Sequence, residues 1–129
     1  MKRSATKSSK PKDTRGQRQF YAEAEYRAAV SRFPRDAALF QGLGNCAGNA
    51  GLHEEAVTAN QRALELEQDN QKLVNDLGWT LFQAGLVMRA RETLERAVAM
   101  GPSDGLAREN LRFCAQEISR RKLGKVGNT

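Results

Sequence analysis

At 129 residues the chain is sized for one domain, and with 6% aromatic and 28% charged residues it can bury only a modest core. No apolar run approaches the ~20 residues that a membrane-crossing helix needs, and no apolar secretory segment opens the chain, so a cytoplasmic protein is expected. The net charge of +6 sits at the ends, because residues 19–119 hold ten basic and fourteen acidic residues, a net charge of −4.

In chain order, residues 1–18 form a Lys/Ser/Pro tract with no apolar face, expected to be a disordered basic tail. A solubilising extension is the plain reading of such a tail. Binding of nucleic acid or an anionic surface through it is the alternative. Residues 19–36 carry Ala22, Tyr26, Ala29 and Val30, then Pro34 and Asp36, which predicts one helix near 18–33 and its exit turn. The next predicted helix, near 37–50, has the stripe Phe40, Leu43, Gly44, Ala47 and Ala50 at helical spacing. Gly51 follows as a stop, and a partner helix is predicted near 53–67. Residues 71–104 repeat this plan, with helices near 71–84 and 87–100 on either side of Gly85. Asp36, Asn70 and Asp104 each precede a helix and can cap its free N–H groups. A last helix is predicted near 105–121, where Arg108, Arg112, Gln116, Ser119 and Arg120 make a solvating face. Residues 123–129 are expected to form a second disordered tail.

The units 37–70 and 71–104 are one 34-residue pattern written twice. Leu43-Gly44 falls on Leu77-Gly78, Gly51 on Gly85, Ala56 on Ala90, Ala63 on Ala97, and Leu66 on Met100. Such a unit cannot bury its apolar face alone, so neighbours must stack into a continuous core. The order of large, small and turn residues, with Phe40 or Val74 at the first large position and Pro102 closing the second unit, resembles the tetratricopeptide repeat family. In that frame the domain covers 19–122: a half repeat 19–36, full repeats 37–70 and 71–104, and a capping helix 105–121. The resemblance implies an all-α fold, a short right-handed solenoid of antiparallel helix pairs with about six helices.

Catalytic patterns are missing. His53 is the single histidine and is expected to pack, half-buried, at the start of a second helix, beside the first-turn acids Glu54 and Glu55. Nothing matches a phosphate-binding loop, a zinc spacing or an elbow-borne nucleophile, so no enzyme, cofactor or metal is expected. Cys46 and Cys114 share one slot two units apart, too far for a disulfide in a stack, and each is expected to fill a small apolar gap.

The resemblance further implies that the first helix of each pair faces a concave groove. Its groove slots fall on Gln41, Asn45 and Asn49 in the first unit, on Lys72, Asn75, Trp79, Phe82 and Gln83 in the second, and on Phe113 in the last helix. Gly48 is expected to leave a gap that deepens the wall. Rings offer apolar contact and amides can satisfy a peptide backbone, so the implied function is a non-enzymatic adaptor holding a segment of a protein partner. The structural alternative is that Trp79 only braces neighbouring helices. Family members that clamp a C-terminal carboxylate use a set of Lys, Asn and Arg side chains. Here Gln41, Asp76, Leu106 and Asn110 replace most of that set, and only Asn45 matches, so a carboxylate tail is disfavoured. Self-association through the open edge near Phe20 and Tyr21 is a third reading, giving a monomer or a weak homodimer.

Overall fold

The computed structural model describes residues 15–127, and side-chain surroundings from Ala22 to Gly124. Residues 1–14 of the expected disordered tail lie outside the described residues, and residues 15–18, expected to belong to that tail, instead form the start of α1. The described chain is all-helical: α1 (Arg15–Arg32), α2 (Ala37–Asn49), α3 (His53–Leu66), α4 (Gln71–Gln83), α5 (Val87–Met100) and α6 (Gly105–Gly127). Helix α6 runs past the expected end at Arg121 and takes in most of the segment expected to be a tail. Glu117 explains part of this, because it pairs with Arg120 at 2.5 Å and Arg121 at 2.9 Å across the turn that leads on. Basic side chains near a helix C-terminus also oppose its dipole.

Local chemistry sets the helix ends. The Asp36 carboxylate accepts from the Leu39 amide at 3.2 Å. Asn70 accepts from Lys72 and Leu73, and Asp104 from Leu106 and Ala107. Each cap satisfies donors that a helix start leaves free, for about 1 kcal/mol. At the other end Gly51 and Gly85 adopt φ of +83° and +86°. In each case the following amide, Leu52 or Leu86, reaches back to the carbonyl of Ala47 or Leu81. A side chain at the glycine would strain this left-handed turn.

Consecutive helices pack on one another, and α4 also touches both α2 and α6. The core runs through the stack along Val74, Leu77, Leu81, Ala90, Leu94, Ala97, Cys114 and Ile118. Close approach within each pair depends on one slot. A Cβ at Gly44 would stand 2.3 Å from the Asn60 side chain, and one at Gly78 would stand 2.6 Å from Cγ and Cδ2 of Leu94. Asn60 and Leu94 are themselves 34 residues apart, so the repeat conserves the contact while exchanging its chemistry. Gly42 makes room for the Tyr26 ring of α1. Both cysteines carry free thiols, and the buried Cys114 donates its S–H to the Val87 carbonyl at 3.1 Å.

Helix α1 is held by a charge cluster that apolar patterning does not reveal. Glu23 is 1% exposed; it pairs with Arg27, whose guanidinium also bonds Glu55 of α3 at 2.8 Å. Glu55 is therefore more than a first-turn acid. The neighbouring Glu55 carboxyl, with burial behind it, holds Glu23 above the usual carboxylate range. Glu55, set between Glu23 and the Arg27 guanidinium, is held below that range. Burial and a second carboxyl thus disfavour the charged form of Glu23, while Arg27 opposes them.

Two predictions follow from this packing. Gly78→Ala gains helix propensity of about 1 kcal/mol but forces Leu94 from a filled core at a cost of about 1–3 kcal/mol. The clash should win, with a net loss of up to about 2 kcal/mol read as a lower urea midpoint. For Glu23 the raised native pKa contributes stability below the unfolded pKa, and that contribution is lost as pH rises through the native value. Glu23→Gln keeps an oxygen for Arg27 to donate to and removes the titration. Its stability relative to wild type should therefore rise from the carboxylate range to neutrality, as read by denaturation midpoints. A constant difference would refute the raised Glu23 pKa.

Candidate protein-binding groove

The first helices α2, α4 and α6 lie side by side, α4 touching both neighbours, and they carry the residues singled out by sequence. The centre of this wall is aromatic. The rings of Trp79 and Phe82 stack with centroids 5.1 Å apart at 28°, and Phe113 of α6 tilts against Trp79 at 6.2 Å. Trp79 is half-buried, Phe82 rests partly on the core, and Phe113 is 43% exposed. The indole is therefore neither sealed inside nor free in solvent. This follows from α4 itself: Leu73, Val74, Leu77 and Leu81 take its buried stripe, and Trp79 stands at the margin.

The polar residues divide. Asn49, Lys72 and Gln83 are exposed, as a contact surface requires. Gln41 and Asn45 reach across from α2 and both donate to Oδ2 of Asp76, at 2.7 and 3.3 Å. Asn75 differs from expectation. It is 4% exposed, and its side-chain oxygen accepts from Asn110 of α6 at 3.1 Å. It joins helices rather than lining the open wall. Gly48 also departs from expectation: it is buried, and a Cβ there would sit 3.3 Å from the Gln83 oxygen and 3.7 Å from Ala56. The gap is occupied by neighbouring side chains.

Two features of the wall escaped the repeat frame. Gln41 to Asp76 and Asn75 to Asn110 are the same contact in successive units, each spanning 35 residues, one more than the period. A frame that compares equal slots passes over it, whereas a search at period plus one finds it. Behind the wall, buried Asn60 donates to the Thr80 hydroxyl at 2.6 Å, and Thr80 donates to the Asp76 carbonyl at 2.7 Å. Polar side chains thus fix the helix carrying Trp79 from both sides. Asp76, read from sequence only as a missing clamp residue, is the junction of these bonds.

At the far end of the wall Glu117 is held down to about 2 by its hydrogen bonds to Arg120 and Arg121. Its charge is largely satisfied within α6. Glu109 likewise pairs with Arg112 at 3.0 Å. No helix of the described residues is long and apolar enough to cross a membrane.

Asn75→Ala should leave the Asn110 amide buried without its partner and lower stability by about 1–3 kcal/mol, the cost of an unsatisfied buried polar group. Thermal melting would read this. A variant of wild-type stability would return Asn75 to the open surface.

The comparisons with known proteins agree with this geometry. Residues 14–71 and 75–111 match the family model described as Tetratricopeptide repeat. No curated protein matches the chain. Among solved structures, the Sgt2 TPR domain from Aspergillus fumigatus superposes with a TM-score of 0.75 at 18% identity, covering 84% of this chain and 74% of that one. The first TPR of Spaghetti (RPAP3), bound to the HSP90 peptide SRMEEVD, gives 0.73 at 18% identity, over 79% and 81% of the two chains. MamA gives 0.70 at 17% identity, over 84% and 67%. At such identities these likenesses establish the fold, and with the family match over most of the chain they place it: the chain belongs to the tetratricopeptide repeat family.

Proposed function

We propose that this protein is a non-catalytic binding module that holds a segment of a partner protein against the wall of α2, α4 and α6. The observation that carries this reading is the cluster of Trp79, Phe82 and Phe113, contributed by two helices and left partly open to solvent. Large rings lose little conformational entropy on binding and provide broad apolar contact, which is why they dominate interface energetics. Around them Asn49, Lys72 and Gln83 supply exposed donors and acceptors that an extended backbone can use. Asn75, engaged inside the wall, shapes it and does not supply those contacts. Gln41 is half-buried against Asp76, and Asn45, bonded to Asp76 yet exposed, keeps its side-chain oxygen for a ligand. With three first helices contributing surface, affinity in the micromolar range is expected, because only a small interface forms.

The structure of the first TPR of Spaghetti contains a peptide ending in an acidic stretch and a carboxylate. Transfer of that specificity is unfavourable here. Asp76 projects a carboxylate where a clamp would place a neutral amide, and like charges in a partly desolvated groove repel.

Trp79→Ala should weaken partner binding by about 2 kcal/mol or more while far-UV circular dichroism stays near wild type. Phe113→Ala, on the more exposed last helix, should weaken it without touching the core. Unfolding of the first variant together with unchanged binding by the second would assign the rings to bracing and remove this site.

A further inference from the structure

Resting on the groove reading above, we infer that the wall selects a partner segment carrying a basic side chain, arginine above all, whose charged head sits on Asp76 and whose stem lies along Trp79. The two residues are three apart on α4, so their side chains are neighbours on one face. Long side chains in a helix tend to lean toward its N-terminus, here the turn that bears Asp76, while the Trp79 ring also stacks on Phe82 and meets Phe113. An aromatic face attracts a cation, and a carboxylate one turn away supplies the counter-charge.

The hydrogen bonds around Asp76 strengthen the case. Both inbound amides, from Gln41 and Asn45, end on Oδ2. Among the described residues Oδ1 receives no hydrogen bond, although a carboxylate can accept about four. The amides orient the group but are neutral, so its negative charge remains. The other acids of the wall are already committed: Glu109 pairs with Arg112, and Glu117 with Arg120 and Arg121. Asp76 is therefore the carboxylate of this face with a charge to offer. A guanidinium fits better than an ammonium, because it is flat enough to stack on the indole while donating to the oxygen. Lys72, exposed one turn earlier on α4, is a rival cation that a bound arginine must displace from the same field.

The test uses nine-residue peptide pools, randomised except for one central position fixed as Arg, Lys, norleucine, Gln or Glu. Binding to the full chain is read by fluorescence of Trp79, the chain's single tryptophan. The Arg pool should bind about tenfold more tightly than the norleucine pool, with Lys between them and Glu weakest, and the margin should shrink as salt rises. Asp76→Asn keeps an oxygen for Gln41 and Asn45 and should reduce the Arg-to-norleucine ratio to about twofold or less. Lys72→Gln should widen that ratio.

Equal binding of the Arg and norleucine pools would overturn the basic preference and leave the groove reading standing. So would a preference that survives Asp76→Asn, or one that Lys72→Gln narrows. Binding to none of the pools would sink the groove reading and this inference together. A preference that emerges only after deletion of residues 1–14 would assign the site to the protein's own basic leading segment and overturn the partner reading.

Discussion

The close approach of paired helices at one glycine slot is the constraint on which the rest of the structure depends. With Gly44 against Asn60 and Gly78 against Leu94, backbones come near enough for side chains from the two helices to interlock. Packing of this density gives dispersion contacts that a looser pair would forfeit. The pair spacing then sets the distance between successive first helices, and with it the reach of every bond across the wall. The third unit shows the limit of the rule. Arg112 occupies the glycine slot there and is exposed, because α6 has no second helix among the described residues to approach it.

Two different chemistries hold the stack along its length. Apolar burial, from Val74 through Leu94 to Cys114, supplies the driving force but little directional preference. The hydrogen bonds from Gln41 and Asn45 to Asp76, from Asn110 to Asn75, and from Asn60 to Thr80 supply register. Each contributes modestly when made, about 1 kcal/mol, yet costs more when a buried member loses its partner. A slip between units would break several at once. The interior of this small solenoid is thus more specific than its apolar content alone would make it.

Much of this was legible in the sequence because a repeat prints the same physical requirement more than once. The helix starts at Asp36, Asn70 and Asp104 and the stops at Gly51 and Gly85 were readable, since capping and left-handed turns depend on one or two neighbouring residues. The aromatic cluster was readable as well, through the slots that Trp79, Phe82 and Phe113 occupy. What escaped involves partners whose separation is not the repeat period. Asn75 looked like a groove amide because nothing in its own unit announces Asn110. Gly48 looked like a gap because Gln83 arrives from the next unit. Glu23 was invisible for a different reason: a carboxylate on an apolar stripe reads as a surface residue until Arg27 and Glu55 are seen around it. The length of α6 was missed because no single residue ends it, while the ion pairs of Glu117 favour continuation.

The wall acquires its character from a conflict inside α4. This helix sits between two neighbours, so Leu73, Val74, Leu77 and Leu81 must face the core while Asn75, Asp76 and Thr80 tie it to α2, α3 and α6. Little of its circumference remains, and that remainder carries Trp79. A ring left partly in water gives up part of the roughly 25 cal/mol per Å² that full burial would return. The fold tolerates the loss because the surrounding contacts already fix the helix. Surface held rigid by its neighbours and still unfavourably wet is what a partner can cover without paying to order it. Rigidity and incomplete burial at Trp79 are therefore two consequences of the same packing, and both come from α4 being the helix with neighbours on each side.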